Sequence, residues 1–339
     1  MTIKRSIKKI ITLSLTGILL NACIKEDMDD CATFIHIDYT HNVLNSNAFG
    51  EQVDEVTLYV FDEKDILVHT VHDQGKHITN NYTIQLTDLP RGNYQFVAWA
   101  QNNEHTNEQA NFTFPALTPG RSILNELTAR LKVTPDTRLF NSNLNNLLVG
   151  HVPAQYVNQS THNRITIPVK KITNTVRIVL IETGDKELST DNYNIRIEEL
   201  QGNGIINSMY EVMPDDKITY APYYFEKKTA RDGEYDKNNP AEQDKALAAE
   251  FALSRLIDGH NIRLIAENKE GDRQMDVDLL EIIKLAELEG NASKWSFQEY
   301  LDRQDHYSIT FYVNNGKFTL MNATIIINGW VVNLVDIEM

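Results

Sequence analysis

The run Val56-Thr57-Leu58-Tyr59-Val60-Phe61 alternates between two faces, with Val56, Leu58 and Val60 on one and Thr57, Tyr59 and Phe61 on the other. A period of two is the repeat of a strand, not of a helix. Upstream the same period puts Ile35, Ile37 and Tyr39 on one face of residues 34–39, and downstream it runs through 66–71, 82–86 and 94–100. Short runs rich in β-branched and aromatic side chains, parted by polar turns, predict an antiparallel β-sandwich. In Asp88-Leu89-Pro90-Arg91-Gly92-Asn93-Tyr94 the turn chemistry is explicit. Pro90 presets φ for a central position of a β-turn and Gly92 suits its last, so Tyr94, Phe96 and Ala98 should share one face of the next strand.

Outward from this region the reading stays strand-dominated. Residues 101–111 read as a polar loop, 122–132 as a short helix, and 165–169 as the strand closing a first domain. A second domain opens with 176–181 and continues with strands near 193–200, 205–213 and 218–225. The very polar stretch 226–245 is expected to be an exposed loop or long hairpin tip, followed by three strands between 247 and 279. Ser296-Phe297-Gln298-Glu299 is a capping box opening a helix over 297–303. Asn315-Gly316 and Asn328-Gly329 are type I′ hairpin signals between closing strands 307–313, 318–327 and 330–337. No fixed-period repeat occurs. The expectation is all-β, two tandem sandwich domains over 32–170 and 171–339.

The N-terminus carries an export signal. Lys4, Arg5, Lys8 and Lys9 precede a mostly apolar core over residues 10–20, too short for the roughly 20 residues of a membrane-spanning helix. Leu20-Asn21-Ala22-Cys23 follows, the lipobox of bacterial lipoproteins. Residues 1–22 are thus read as a signal peptide cleaved between Ala22 and Cys23, and Cys23 as the thiol that takes the lipid. With Cys23 acylated, Cys31 has no partner, which excludes a disulfide framework. Cleavage moves the net charge from −15 to −19, which argues against nucleic acid and against broad adhesion to anionic lipid. Attachment must come from the acyl chains. Residues 23–31 read as a charged, flexible tether, and within them Lys25-Glu26-Asp27 resembles the surface-export signal of Bacteroides-group lipoproteins.

Catalytic patterns are missing from the sequence: no Gly-x-Ser-x-Gly elbow, no His-Glu-x-x-His, no phosphate-binding glycine loop. Gly202-Asn203-Gly204 reads as a turn. His69 and His72, three apart on a strand, point to opposite faces, so no metal site is expected with His77. Asp215-Asp216 and Glu198-Glu199 are read as solvated turn and strand-end residues. Trp99 and Trp330 lie inside strand runs and are read as core, leaving Trp295. No cofactor, small-molecule substrate or enzymatic activity is expected.

Taken in order, these features resemble one family. The lipobox and acidic tether lead to a strand ending at Tyr39, then Val60-Phe61-Asp62, Asp88-Leu89-Pro90-x-Gly92-x-Tyr94 and Phe96-Val97-Ala98-Trp99-Ala100. Ser296-Phe297-Gln298-Glu299-Tyr300-Leu301, Tyr307-Ser308-Ile309-Thr310-Phe311 and Ile327-Asn328-Gly329-Trp330-Val331-Val332 follow. Together they are similar to the FimB-type anchor fimbrillins, the minor fimbrium anchoring subunit lipoproteins of the Bacteroides group. The resemblance implies two transthyretin-like β-sandwich domains and a lipid (palmitate-type) membrane anchor in the cell outer membrane. It also implies a structural role in cell adhesion, holding a fimbria and limiting its growth. Stalk subunits would be the partners, met by β-strand addition at a sheet edge. In polymerising relatives an arginine-specific protease removes the first strand; here no arginine lies between Cys23 and Arg91, so that strand is expected to stay. The alternative is a surface glycan-binding sandwich lipoprotein, which would need exposed tryptophans on one face.

Overall fold

The computed structural model describes residues 32–102, 111–158, 162–184, 187–228, 246–290, 294–315, 317–318, 324–327 and 330–333. The signal peptide, Ala22, Cys23, Lys25, Glu26, Asp27 and Cys31 lie outside them, as does most of the polar stretch 226–245.

The first half runs β1 (Thr33–Asp38), α1 (Phe49–Gln52), β2 (Glu55–Asp62), β3 (Leu67–Gln74), β4 (Thr83–Leu86) and β5 (Gly92–Gln101). It continues with β6 (Phe112–Thr113), β7 (Thr128–Leu131), β8 (Leu139–Phe140), β9 (Leu147–Val157) and β10 (Asn163–Lys171). The second half opens with β11 (Thr173–Glu182), β12 (Tyr193–Glu199), β13 (Ile205–Asn207), β14 (Ile218–Tyr220) and β15 (Tyr224–Lys228). Then come β16 (Ala246–Ser254), β17 (Ile262–Asn268), β18 (Arg273–Asp278), α2 (Leu279–Gly290) and α3 (Phe297–Arg303). The chain closes with β19 (His306–Asn314), β20 (Lys317–Phe318), β21 (Thr324–Ile327) and β22 (Trp330–Asn333).

The fold is all-β, in two sandwich lobes. In the first, seven strands pair in the order β3-β2-β5-β9-β10-β1-β4 and wrap one core. Ile35, Ile37, Val56, Leu58, Phe96 and Ile167 are fully enclosed there, as the period of two predicts. In the second, the sheet β15-β16-β11-β19-β21-β22 faces the sheet β18-β17-β12-β14-β8 across a core containing Ile178, Ile197, Phe251, Leu264 and Ile309. Most pairs are antiparallel, but β1–β10, β11–β19 and β14–β8 run parallel, which alternation within one strand cannot reveal.

β5 buries both faces. Phe96 and Ala98 enter the first core, while Val97 and Trp99 enter the second with Phe61 and Leu67. That double burial accounts for the unbroken apolar run from Phe96 to Ala100. β7 pairs with β13 and β8 with β14, so the segment between Phe112 and Phe140 supplies strands to the sheets of the second half.

Some local expectations fail. Residues 122–132 are not a helix: a single 3₁₀ turn (Leu124–Glu126) leads into β7, because Leu127, Ala129 and Leu131 bury one face beside β13. Residues 87–91 bend without an i to i+3 hydrogen bond, and Gly92 already opens β5. Their fastening is Tyr94, whose Oη donates to the Pro90 carbonyl at 2.9 Å. α2, for which no expectation is stated above, buries Leu279, Leu280, Ile282 and Ile283 and is capped by Asp278 Oδ1, accepting from the N–H groups of Leu280 (2.9 Å) and Glu281 (3.2 Å). α3 starts where the capping box places it, with Ser296 Oγ accepting from the Glu299 N–H at 3.2 Å. Only half the box forms, since the Glu299 carboxylate turns to Arg303 at 2.9 Å. Asn315 takes the left-handed φ of 49° that a type I′ turn requires.

Candidate functional site

A protein that joins another by strand addition needs an open sheet edge, so the edges are the candidate site. The closing strand over 307–313 does not offer one. β19 is interior, paired parallel with β11 from Thr175↔His306 to Glu182↔Val313 and antiparallel with β20 and β21 on its other side. Both rows of its backbone groups are engaged. Among the described residues, β22 is the terminal strand of that sheet, paired with β21 alone.

The first lobe offers a second kind of edge. Its sheet rolls until the two terminal strands, β3 and β4, flank one cleft of about 320 Å³. Val68, His69 and Val71 line one wall, Gln85 and Leu86 the other, with Leu89, Pro90 and Tyr94 between. At the start of β3 the backbone of Leu67 is tied to Ser122 (2.8 Å) and Gly120 (2.7 Å). Neither strand carries the charges that usually blunt an edge: β4 has none and β3 only Asp73. The edge strand β18, by contrast, carries Arg273, Asp276 and Asp278, with Arg263 on Asp276 at 2.8 Å.

The first strand is held on both sides. β1 pairs parallel with β10 over six positions and antiparallel with β4 over four.

The two halves meet at a polar joint beside α3. Asp302 receives both arms of the Arg255 guanidinium at 2.8 Å and Lys170 Nζ at 3.1 Å. Burial alone would raise the Asp302 carboxyl, but these cations hold it below its usual range. Lys171 reaches Asp305 at 2.6 Å, and Arg303 donates to the Asn42 carbonyl (3.3 Å) and Asn45 Oδ1 (2.9 Å). His41 lies in this joint, pushed down to about 4 by burial and by Lys170 and Arg303.

The remaining candidates resolve one by one. His77 pairs with Asp73 at 2.9 Å, His72 lies 3.2 Å from Thr57 Oγ1, and among the described residues no three metal-ligating side chains converge. Asp73 is held low by hydrogen bonds from His77 and Tyr82. Of the acidic pairs, Asp216 is exposed as expected and the other three are not. Asp215 pairs with Arg138 at 2.6 Å, and Glu198 lies between Arg196 (2.9 Å) and Lys217 (3.0 Å). Glu199 is wholly buried; its Oε1 accepts from the Gln201 N–H at 3.0 Å and meets His260 Nδ1 at 3.2 Å, while Oε2 has no partner. Burial pushes this carboxyl up to about 7. No local pattern marks it, because the pairing of β12 with β14 and β17 does the burying.

Trp99 is buried edge-on against Phe114 at 5.4 Å, its indole N–H unpartnered among the described residues. Trp295 lies under the Arg303 guanidinium at 4.9 Å. Trp330 is on β22.

Comparison with known proteins fits this architecture. The family model for fimbrillin-A associated anchor proteins Mfa1 and Mfa2 matches residues 28–336. No curated protein matches the sequence. A solved structure of a candidate polysaccharide-binding protein from Bacteroides thetaiotaomicron is 28% identical, with a TM-score of 0.74 over 90% of this chain and 98% of that one. A candidate adhesin from the same organism is 24% identical, with a TM-score of 0.76 and the same coverage. The fimbrial anchor protein Mfa2 from Porphyromonas gingivalis is 17% identical, with a TM-score of 0.64 over 89% of this chain and 99% of that one, and shares the fold. Matched across nearly its whole length, this chain belongs to the fimbrillin-A associated anchor protein family, whose members are fimbrial structural proteins of the cell surface.

Proposed function

We propose that this protein is a non-enzymatic outer-membrane lipoprotein that holds a fimbria at its base and limits its growth. Membership of the anchor family over residues 28–336 carries the reading. The lipobox supports the attachment, through cleavage after Ala22 and acylation of Cys23, and Lys25-Glu26-Asp27 supports display on the outer face. The double pairing of β1 supports an anchor over a polymerising subunit, since the strand that would have to leave is bonded on both sides. Stalk subunits dock by adding a strand, either at the unguarded β3–β4 seam or at β22.

The test is a deletion strain. Fimbriae should be released into the medium and exceed their normal length; normal retention and length would refute the anchor role.

A second reading, glycan binding, draws on the designation of the 28% identical relative. Against it, Trp99 is buried, Trp295 is covered by Arg303, and the cleft beside Trp99 measures about 90 Å³. Ligand pockets ordinarily span roughly 300–1,000 Å³, a range that the β3–β4 cleft reaches, but no tryptophan lines it.

A further inference from the structure

We infer that β1 is the gripped strand of a mechanical clamp, a load-bearing device that resists force arriving from the N-terminal side of the chain. Any pull on residues upstream of Ala32 enters at the N-terminal end of β1. It reaches the second half of the molecule through the neighbours of β1 and through the loop that follows it, which Arg303 holds. The principal neighbour is β10, which runs parallel to β1 in register from Thr33↔Asn163 to Asp38↔Pro168 and continues at its C-terminal end into β11.

That polarity decides how the ladder is loaded. In a parallel pair both N-terminal ends lie at the same end. Force drawing β1 out by its N-terminus, and drawing β10 away by its C-terminus, acts along the strand axis in opposite directions. Every hydrogen bond of the ladder then carries load at once. Pulling both strands from one end would instead open the same bonds in succession. β4 flanks β1 on its other side over four further positions, so axial sliding must break two ladders together.

Side chains lock the register. Thr33, Ile35, Ile37 and Tyr39 are all buried on one face, and a slip of one residue would carry this set to the other face. The entry end is pinned by the Asn163 N–H on the Ala32 carbonyl and by Asn163 Nδ2 on Thr33 Oγ1, both at 3.3 Å. The exit end is pinned to the second half. Lys170 and Lys171, which end β10, bind Asp302 and Asp305, and Arg303 holds the loop that leaves β1 through Asn42 and Asn45. β11 then carries load into the middle of its sheet, between β16 and β19.

The inference gives the tether reading its physical purpose, but a bench experiment separates the two. The unlipidated mature chain with Cys23→Ser is held by single-molecule force spectroscopy between two thiols. One is always Asp258→Cys, in the exposed turn between β16 and β17. In one arm the other thiol is the native Cys31, just before β1; in the second it is Thr40→Cys with Cys31→Ser, at the exposed C-terminal end of the same strand. Urea midpoints of the two proteins should agree, because only the handle has moved. The expected result is a first rupture at clearly higher force in the Cys31 arm, and loss of that high-force event in the Thr40 arm. Equal forces, or a stronger Thr40 arm, would overturn the clamp and leave the lipidation reading untouched. Forced unfolding is governed by the unfolding rate and not by equilibrium stability, so the arms can differ while the midpoints agree.

Discussion

Replacing Glu199 by Gln should stabilise this protein at alkaline pH and do little at acid pH. Glu199 is fully enclosed, and burial lifts its carboxyl from an ordinary 4.5 to about 7 in the fold. A folded value above the unfolded one means that the neutral acid is the form the fold accepts. Its contribution is fully present below pH 4.5 and is lost as pH rises through 7, where a buried carboxylate must form. At 1.36 kcal/mol per pH unit, the gap amounts to about 3 kcal/mol above pH 8. Glutamine keeps the shape and the acceptor that meets the Gln201 N–H and His260, and it cannot ionise. His260, held low by burial, acts in the opposite sense as pH falls below 6.5, but it is common to both proteins. The difference between them therefore isolates Glu199. Urea unfolding at pH 5 and pH 8.5 reads it out. With an m-value of roughly 3 kcal/mol/M, the variant's midpoint should rise by about 1 M at pH 8.5 and change little at pH 5. A variant weakened at both pH values would mean that Glu199 is ionised in the fold and paired with a protonated His260.

Other predictions follow from the joint, the edges and the N-terminus. Asp302→Asn should cost about 3–5 kcal/mol by stranding Arg255 and Lys170 in a buried joint. Because Asp302 is held low in the fold, that stability is present above pH 3.8 and falls away below it; the gap between the thermal midpoints of the wild-type protein and the variant should be wide at pH 7 and narrow as pH falls below 3.8. A proline scan across residues 68–74 and 330–333, with circular dichroism to confirm folding, should make fimbriae detach at one edge only, because proline deletes a ladder donor. Retention by every folded variant would exclude both edges. Cys23→Ser should leave protein without acyl chains, checked by mass spectrometry of the mature N-terminus. Alanine at Lys25, Glu26 and Asp27 should protect the protein from protease added to intact cells, and equal digestion of both forms would remove the export role.

What the sequence disclosed was local. The alternation in β1, β2 and β5 needs only neighbouring residues, and the Ser296 cap and the Asn315 turn are stated within a few positions. The lipobox and acidic segment are likewise complete in residues 20–27. What stayed hidden was pairing at a distance. Leu124, Leu127 and Leu131 fit helical spacing as well as Leu127, Ala129 and Leu131 fit a strand, and β13, more than seventy residues on, decides between them. The interior position of β19 depends on a parallel partner, β11, some 130 residues earlier. Glu199 reads as a strand-end acid until the strands on either side enclose it. α2 follows β18 without a break, because Asp278 both ends the strand and caps the helix.

The two-sided burial of β5 bears on how the chain is made. Trp99, Val97 and Phe61 share a core with Ile178, Ile197 and Phe251 of the second half, and β7 waits for β13. At about 5–20 residues per second of synthesis, the 74 residues from Leu131 to Ile205 represent roughly 4–15 s in which that core is incomplete. The first lobe is therefore not a finished object when its own last strand emerges. A chaperone that holds the chain extended until residue 207 has passed would be shielding this surface, and its loss should show first as aggregation of nascent chains, not as unfolding of the completed protein.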